Sequence, residues 1–388
     1  MEIRAARPNE AGLLSDLALR SKAHWGYDDA FLDACREELT LRPGDVEAQQ
    51  VTLAESGGDV TGFYALAGDP PEGLVTSFFV DPPAIGTGVG RALLLHCVRV
   101  AAGLAMTRLR IEADPHAEDF YRTMGAVRVG EAPSASIEGR SLPLLTLSVP
   151  SPPSTDPLYV LLHSPLVGPT TWEPVARVLL DRGEAVAVPS FLGLDHGDDH
   201  FWERMRGRVV DAVGQAPRIV LAAHSGAAVL VPSVFETLSD RVAANVFVDA
   251  GLPGDHDATP VAEDEFRAFL EARAVDGRLA PWSTWWGDTA LEAMLPEPDL
   301  RARIAAECPE LPLDYFDRAA PTPPGWHRAP CAYVHFSSVY DRFAAEAERR
   351  RWPVERIAGG HLHLAVDPAA VAGAITRLSR VRSPDTAR

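Results

Sequence analysis

Lysine is nearly missing from this chain: of 36 basic residues in 388, only Lys22 is a lysine, and arginine carries the other positive charges. The basic residues are also outnumbered by 54 acidic ones, which leaves a net charge of −18. Such a chain has no general electrostatic hold on a phosphate backbone or an anionic membrane surface, which argues against nucleic acid and lipid as partners. Cysteine is scarce as well. Cys35, Cys97, Cys308 and Cys331 stand far apart with no CxxC or Cys/His cluster. That spacing supports neither a disulfide framework nor a structural metal site, and it fits a reducing cytoplasm. Long apolar runs are absent too, each being broken by charge or proline well short of the ~18 residues a membrane span needs. The first ten residues lack a basic-then-apolar leader. The expectation is a soluble, cytoplasmic protein.

What is present is ordinary globular material, 46% hydrophobic and 23% charged, in a length that corresponds to two domains. The clearest break is a run of Pro, Ser, Thr and Asp over residues 150–157, which reads as a semi-extended linker. It separates an N-terminal domain, 1–149, from a C-terminal domain, 158–382; from Ser383 on the chain reads as disordered. The first domain opens with a strand over Glu2 to Ala6 and a helix over Ala11 to Ala23. Strands follow over Gln50 to Glu55, Val60 to Ala67 and Gly73 to Val80, then a helix over Gly90 to Ala102, a strand over Arg108 to Ala113, a helix over Glu118 to Met124 and a last strand near Leu144 to Val149. That order predicts an α+β domain on a mixed, mostly antiparallel sheet. The second domain alternates apolar strand and helix, for example Leu158 to His163, Trp172 to Asp181, Ile219 to Ala223 and Ala227 to Leu238. Alternation of this kind predicts an α/β domain on a parallel sheet. A Trp- and Pro-rich insertion at about 252–328 interrupts it and is expected to form a helical cap.

Two segments carry chemistry. After the strand ending at Val80 the chain reads Asp81-Pro82-Pro83-Ala84-Ile85-Gly86-Thr87-Gly88-Val89-Gly90-Arg91 and enters a helix. Alternate glycines at a helix mouth let backbone N–H groups converge on an anion such as a pyrophosphate. The spacing is not the dinucleotide GxGxxG, and no P-loop lysine follows. The segment resembles the coenzyme A loop of GNAT superfamily N-acetyltransferases. Ile111-Glu112-Ala113-Asp114 running into Phe120-Tyr121-Arg122-Thr123-Met124-Gly125 resembles a later segment of the same family. The resemblance implies acetyl-CoA as donor and no metal. It places the amides of Gly86, Gly88, Gly90 and Arg91 around the pyrophosphate, with Val80, Ile85 and Val89 flanking it, and makes Tyr121 the acid that protonates the departing thiolate. Ile85 and His116 depart from the family's usual Arg or Gln and Asn. His24, Trp25 and Tyr27 fall where members place the acceptor, a small-molecule amine, though the same aromatic cluster fits core packing. Glu112 is a candidate base.

The second segment is Ala223-His224-Ser225-Gly226-Ala227, a serine between strand and helix with small residues on either side, the pattern of a nucleophile elbow with Ala in place of Gly at both flanks. Gly359-Gly360-His361 lies after the last predicted strand, where an activating histidine belongs. Together with Leu161-Leu162-His163-Ser164-Pro165 these residues resemble the α/β-hydrolase superfamily. The resemblance implies an ester or amide substrate, with Ser225 as nucleophile, His361 as base and either Asp249 or Asp341 as the acid. For the oxyanion, Gly226 offers one N–H. The other stretch holds Pro165, which has none, and that leaves Leu166 as the candidate. The cap aromatics Trp282, Trp285, Trp286, Tyr315, Phe316 and Trp326 line an apolar pocket or form the cap's own core. The whole chain thus reads as an N-acetyltransferase fused to a serine hydrolase. The alternative is an acetyltransferase whose hydrolase-like half only binds a ligand or partner.

Overall fold

The strand β1 (Glu2–Ala5) and the helices α1 (Ala11–Ala23), α2 (Asp29–Cys35) and α3 (Pro43–Ala48) precede β2 (Gln50–Ser56), β3 (Asp59–Ala67) and β4 (Glu72–Val80). In this computed structural model the described residues are 1–149, 156–255 and 257–380, with the side chains of Glu47 and Asp288 excepted. Residues 150–155 of the expected linker, and the whole expected disordered end, lie outside them. The chain forms two compact units: residues 1–121 with 128–149, and residues 122–127 with 156–255 and 257–380.

In the first unit α4 (Val89–Gly103), β5 (Arg108–Glu112), α5 (Glu118–Thr123), β6 (Val127–Pro133) and β7 (Ser141–Ser148) complete a seven-stranded sheet ordered β1-β2-β3-β4-β5-β7-β6. Neighbours along β1 to β4 are antiparallel, β4 and β5 are parallel, and β5 and β7 are antiparallel, which makes the sheet mixed. Apolar spacing along α1 turns Leu14 and Leu17 onto Val51, Leu53 and Phe63 in one core. Sequence reading had a single strand at the end of this unit; two are present. It also had no helix between α1 and β2. α2 and α3 are only seven and six residues long, too short to leave a clear periodic signal.

The second unit contains β8 (Leu158–Leu162), α6 (Glu173–Asp181), β9 (Ala185–Ala187), α7 (Phe201–Val213), β10 (Ile219–His224), α8 (Val231–Leu238) and β11 (Val242–Val248). Then come β12 (Ala258–Pro260), α9 (Asp264–Glu271), β13 (Arg278–Leu279), α10 (Asp288–Met294), α11 (Pro298–Ala306), β14 (Leu311–Pro312) and β15 (Ala319–Pro321). The chain closes with β16 (Cys331–His335), α12 (Asp341–Arg349), β17 (Val354–Arg356), α13 (His363–Val366) and α14 (Pro368–Arg380). Six strands in the order β17-β16-β11-β10-β8-β9 are all parallel. Every residue of β8 and β10 is buried, as befits strands covered on both faces. The insertion between β11 and β16 is helical in part only, because β12 pairs with β15 and β13 with β14 as two short antiparallel ribbons. The helix expected from Ala227 starts as a 3-10 stretch, Ser225–Leu230, and becomes α only where Pro232 falls in the first turn and needs no acceptor for a missing N–H. Among the described residues no helix is long and apolar enough to cross a membrane.

Leu221 lies at the centre of β10 and is fully buried. Leu221→Ala is expected to lower stability by about 2–5 kcal/mol, read as a shift in the urea midpoint of the second unit's transition without loss of the native circular dichroism in buffer.

Candidate functional site

The turn from β4 into α4 is built for open backbone. Gly86 and Gly88 adopt φ of 79° and 91°, and a Cβ at either would meet nothing within 4 Å. Gly88 caps α4, and the first N–H groups of a helix have no acceptor within it. An exposed face with aligned amides and the positive end of a 15-residue helix results. Ile85 and Arg91 are exposed beside it, whereas Val89 is buried. Gly90 is different: its Cβ would touch Phe120 and Val80 at 3.5 Å, ordinary contact, at a helical φ.

β4 and β5 pair only from Glu72 to Val75 and Arg108 to Ile111, although β4 runs on to Val80. A register irregularity opposite Ala65 and Leu66 coincides with the parting. Tyr121 is buried there, edge-on to Phe78 at 5.8 Å, and burial pushes its hydroxyl up from the usual tyrosine range. Just past β5, Asp114 accepts from Lys22 Nζ at 2.6 Å and from the Tyr27 hydroxyl at 3.0 Å, and Arg140 in turn donates to that hydroxyl at 2.7 Å. Burial pushes the Asp114 carboxyl up, but Lys22 and the other donors outweigh it and hold the group below its ordinary value. Tyr27 is therefore an anchor of this charge cluster, while Trp25 is partly exposed and stacks on His116 at 5.3 Å. His24 meets Trp25 edge-on. Glu112 is exposed and paired with Arg110 at 2.9 Å.

In the second unit the parallel sheet delivers several strand ends to one edge. β10 ends at His224, and Ser225 turns out of it at φ 54°, a left-handed conformation that costs a non-glycine residue roughly 1–2 kcal/mol. Its Oγ lies 3.0 Å from His361 Nε2, and His361 Nδ1 lies 2.8 Å from Asp249 Oδ2. Asp249 follows β11, also at positive φ, 41°, and is fully buried. The N–H groups of Phe336 and Ser337 donate to its Oδ1 at 2.9 Å each, and the Ser337 hydroxyl donates to Oδ2 at 2.7 Å. Burial pushes this carboxyl up, but His361 and Ser337 outweigh it, so it lies below its ordinary value. Burial, with His361 alongside, pushes His224 down to about 3, which leaves a neutral ring whose Nε2 donates to the His361 carbonyl at 3.0 Å.

Asp341 does not join this group. It starts α12, its side chain is 65% exposed, and it sits 2.8 Å from His335 Nε2. Of the two candidate acids it is Asp249, on the strand nearer the serine, that lies against the imidazole's Nδ1. Gly226 follows Ser225, and a Cβ there would come to 3.2 Å of Ser164 Oγ. The Leu166 N–H lies 3.3 Å from that same Ser164 hydroxyl. Of the six cap aromatics, Trp282 lines the cleft at Ser225 with Ser164, Leu166 and Val167, a space of about 10 Å³, roughly one water. Tyr315, Phe316 and Trp326 are core, Trp285 donates to the Ala280 carbonyl, and Trp286 is exposed against Phe269. A chamber of about 330 Å³ shares Val167 with the cleft and is lined by His163, Phe191, His196 and Arg278 among others. Sequence reading missed Tyr340, whose hydroxyl lies 3.3 Å from Ser225 Oγ; nothing in its local pattern distinguishes it from any turn tyrosine. Among the described residues no group of three or more His, Cys, Asp or Glu side chains is placed to hold a metal ion.

Residues 14–135 match the family model described as the acetyltransferase (GNAT) domain. The peptidyl-lysine N-acetyltransferase YjaB of Salmonella typhimurium (strain LT2) is 29% identical over 152 residues, which cover 39% of this chain and 99% of that protein. Among solved structures, a GCN5-related N-acetyltransferase from Rhodopseudomonas palustris is 21% identical, with 38% of this chain and 94% of that one covered at a TM-score of 0.33. An extracellular α/β-hydrolase from a Paenibacillus species is 17% identical, with 58% and 100% covered at a TM-score of 0.48. The N-terminal region thus carries a GNAT acetyltransferase domain, and the second unit is an α/β fold on a six-stranded parallel sheet.

The glycine turn makes a paired prediction about stability. Gly88→Ala forces a left-handed alanine and is expected to cost about 1–2 kcal/mol in urea unfolding, while Gly90→Ala, with helical φ and room for its methyl, costs less than half as much.

Proposed function

We propose that this chain is a bifunctional enzyme: its N-terminal unit transfers the acetyl group of acetyl-CoA to a primary amine, and its C-terminal unit cleaves an ester or amide through Ser225. The observation that carries the second activity is the hydrogen-bond chain from Ser225 Oγ through His361 to Asp249. Asp249 accepts from Nδ1, so the imidazole's other nitrogen is free to take the serine proton as Oγ attacks the carbonyl, and the buried carboxylate stabilises the imidazolium that forms. The Gly226 N–H would meet the charge that develops on the carbonyl oxygen, whereas the Leu166 N–H is taken up by the Ser164 hydroxyl. The 330 Å³ chamber next to the cleft is of a size for a small substrate.

For acetyl transfer, the open face at Gly86 and Gly88 fits a diphosphate. The amides of Gly86, Gly88, Gly90 and Arg91 would hold acetyl-CoA there, and Val80, Ile85 and Val89 would flank it. The amine nitrogen attacks the thioester carbon, and Tyr121, kept protonated by burial, gives its proton to the departing sulfur. The acceptor is a primary amine, either a small molecule or, as the name of the Salmonella relative indicates for that protein, a lysine side chain.

Acetyl transfer is checked by thiol release from acetyl-CoA with a panel of small amines and a lysine-bearing peptide. Tyr121→Phe is expected to lower kcat about 10²-fold with the KM for acetyl-CoA unchanged. An equal kcat would remove Tyr121 from the reaction. Hydrolysis is checked by intact mass after exposure to a fluorophosphonate: wild type gains one adduct and Ser225→Ala none. Asp249→Asn, which leaves the imidazole in the wrong tautomer, is expected to react about 10⁴-fold more slowly. A cleft with room for roughly one water favours a second reading, a hydrolase-shaped ligand-binding unit. A wild type that takes no adduct would establish that reading in place of the first.

A further inference from the structure

Tyr340 closes a short helical turn, Ser338–Tyr340, that follows directly on the Ser337 hydroxyl bound to Asp249. Its hydroxyl is 3.3 Å from Ser225 Oγ, and its ring lies nearly parallel to that of His361, 5.0 Å between centroids at 15°. The direction of the hydrogen bond follows from where the protons must be. Asp249 accepts only, so Nδ1 of His361 carries a proton; neutral Nε2 then accepts, and the serine hydroxyl donates to it. Only lone pairs remain on Ser225 Oγ toward Tyr340, so the tyrosine donates. Burial, partly offset by the Ser225 bond, pushes Tyr340 up to about 12, and the donor therefore persists across the neutral range.

The site is short of such donors. Pro165 has no N–H where a second oxyanion amide is usual, and the Leu166 N–H lies 3.3 Å from the Ser164 hydroxyl and is directed at it. We infer that the Tyr340 hydroxyl is a further catalytic residue, the second hydrogen-bond donor to the oxyanion beside the Gly226 N–H. This rests on the reading of Ser225 as a nucleophile. As the Oγ–C bond forms, the serine proton passes to His361 Nε2 and the carbonyl π pair moves onto its oxygen. Oγ, now bonded to carbon, becomes a poor acceptor. The Tyr340 O–H turns to the oxyanion on that same carbon and keeps its own proton. Collapse returns the electron pair and expels the leaving group, which takes the proton held by His361. The stack on His361 keeps the hydroxyl aimed, so little ordering is needed at the moment of reaction.

The test is the rate of phosphonylation of the full chain by an alkyl fluorophosphonate, whose P=O oxygen draws on the same donors, over a range of pH. Tyr340→Phe keeps the stack and loses only the hydroxyl; it is expected to slow labelling about 10²–10³-fold with the pH midpoint unmoved. Tyr340→Ala should be at least as slow. Val339→Ala, an exposed neighbour on the same turn, should label at the wild-type rate. Wild-type speed in Tyr340→Phe, a shift of the pH midpoint that accounts for its loss, or an equal loss in Val339→Ala would each overturn the assignment while leaving the nucleophile intact. A wild type as inert as Ser225→Ala would overturn the nucleophile reading and this inference together.

Discussion

Four hydrogen bonds meet on the carboxylate of Asp249, from two backbone amides, one serine hydroxyl and one imidazole, and the second unit's site is organised around them. A fully buried carboxylate with fewer partners would take up a proton to escape its desolvation cost, and its hold on His361 would weaken. With its partners in place it stays charged, fixes which nitrogen of His361 carries the proton, and thereby sets the direction of every other bond in the cluster. The parallel order of the sheet makes this possible. Strands running the same way end at the same edge, so β10, β11 and β16 bring Ser225, Asp249 and the Phe336-Ser337 amides together although more than a hundred residues separate the first and last.

The first unit's site depends on an opposite device, the removal of side chains. At Gly86 and Gly88 the backbone is left-handed and bare, which exposes amides at the start of α4. The parting of β4 from β5 beyond Val75 opens the sheet beside Tyr121, and the charge cluster of Lys22, Asp114, Tyr27 and Arg140 ties the chain just past β5 to the end of α1 and the loop before β7. Here backbone geometry and burial, more than a network of ionisable groups, define what fits.

Much of this could be read from residue order, because it depends on local chemistry. Alternating glycines before an apolar helix, a serine set among small residues after an apolar strand, and a late Gly-Gly-His are each short-range patterns. The choice between Asp249 and Asp341 was not of that kind. Asp249 stands just past β11 while Asp341 starts the helix that follows β16, and the positive φ of Asp249 and the pairing of β11 with β16 accompany the choice of the carboxylate that faces His361. Tyr340 left no signal for the same reason: it lies one residue from Asp341 in sequence, but its contact with Ser225 spans 115 positions. The short helices α2 and α3 escaped because brief elements carry too few periodic positions, and β6, the first of the last two strands, went unread beside them.

Left-handed residues and unpaired buried atoms gather at the edge that carries the serine, although the unit has others, such as the left-handed Asp276 and Arg351 and the Tyr159 hydroxyl, unpaired among the described residues. Ser225 and Asp249 are left-handed without being glycine, and the buried His224 Nδ1 and Trp172 Nε1 have no hydrogen-bond partner among the described residues. Each unpaired buried group costs about 1–3 kcal/mol. The fully buried strands β8 and β10 and the helices against them offset these costs. What the strain achieves is geometric: a left-handed Ser225 lifts Oγ off the strand axis into reach of both His361 and Tyr340, which an extended residue would not do. On the proposed assignment, a donor carried on a stacked ring needs no special backbone of its own, which is compatible with a proline at position 165.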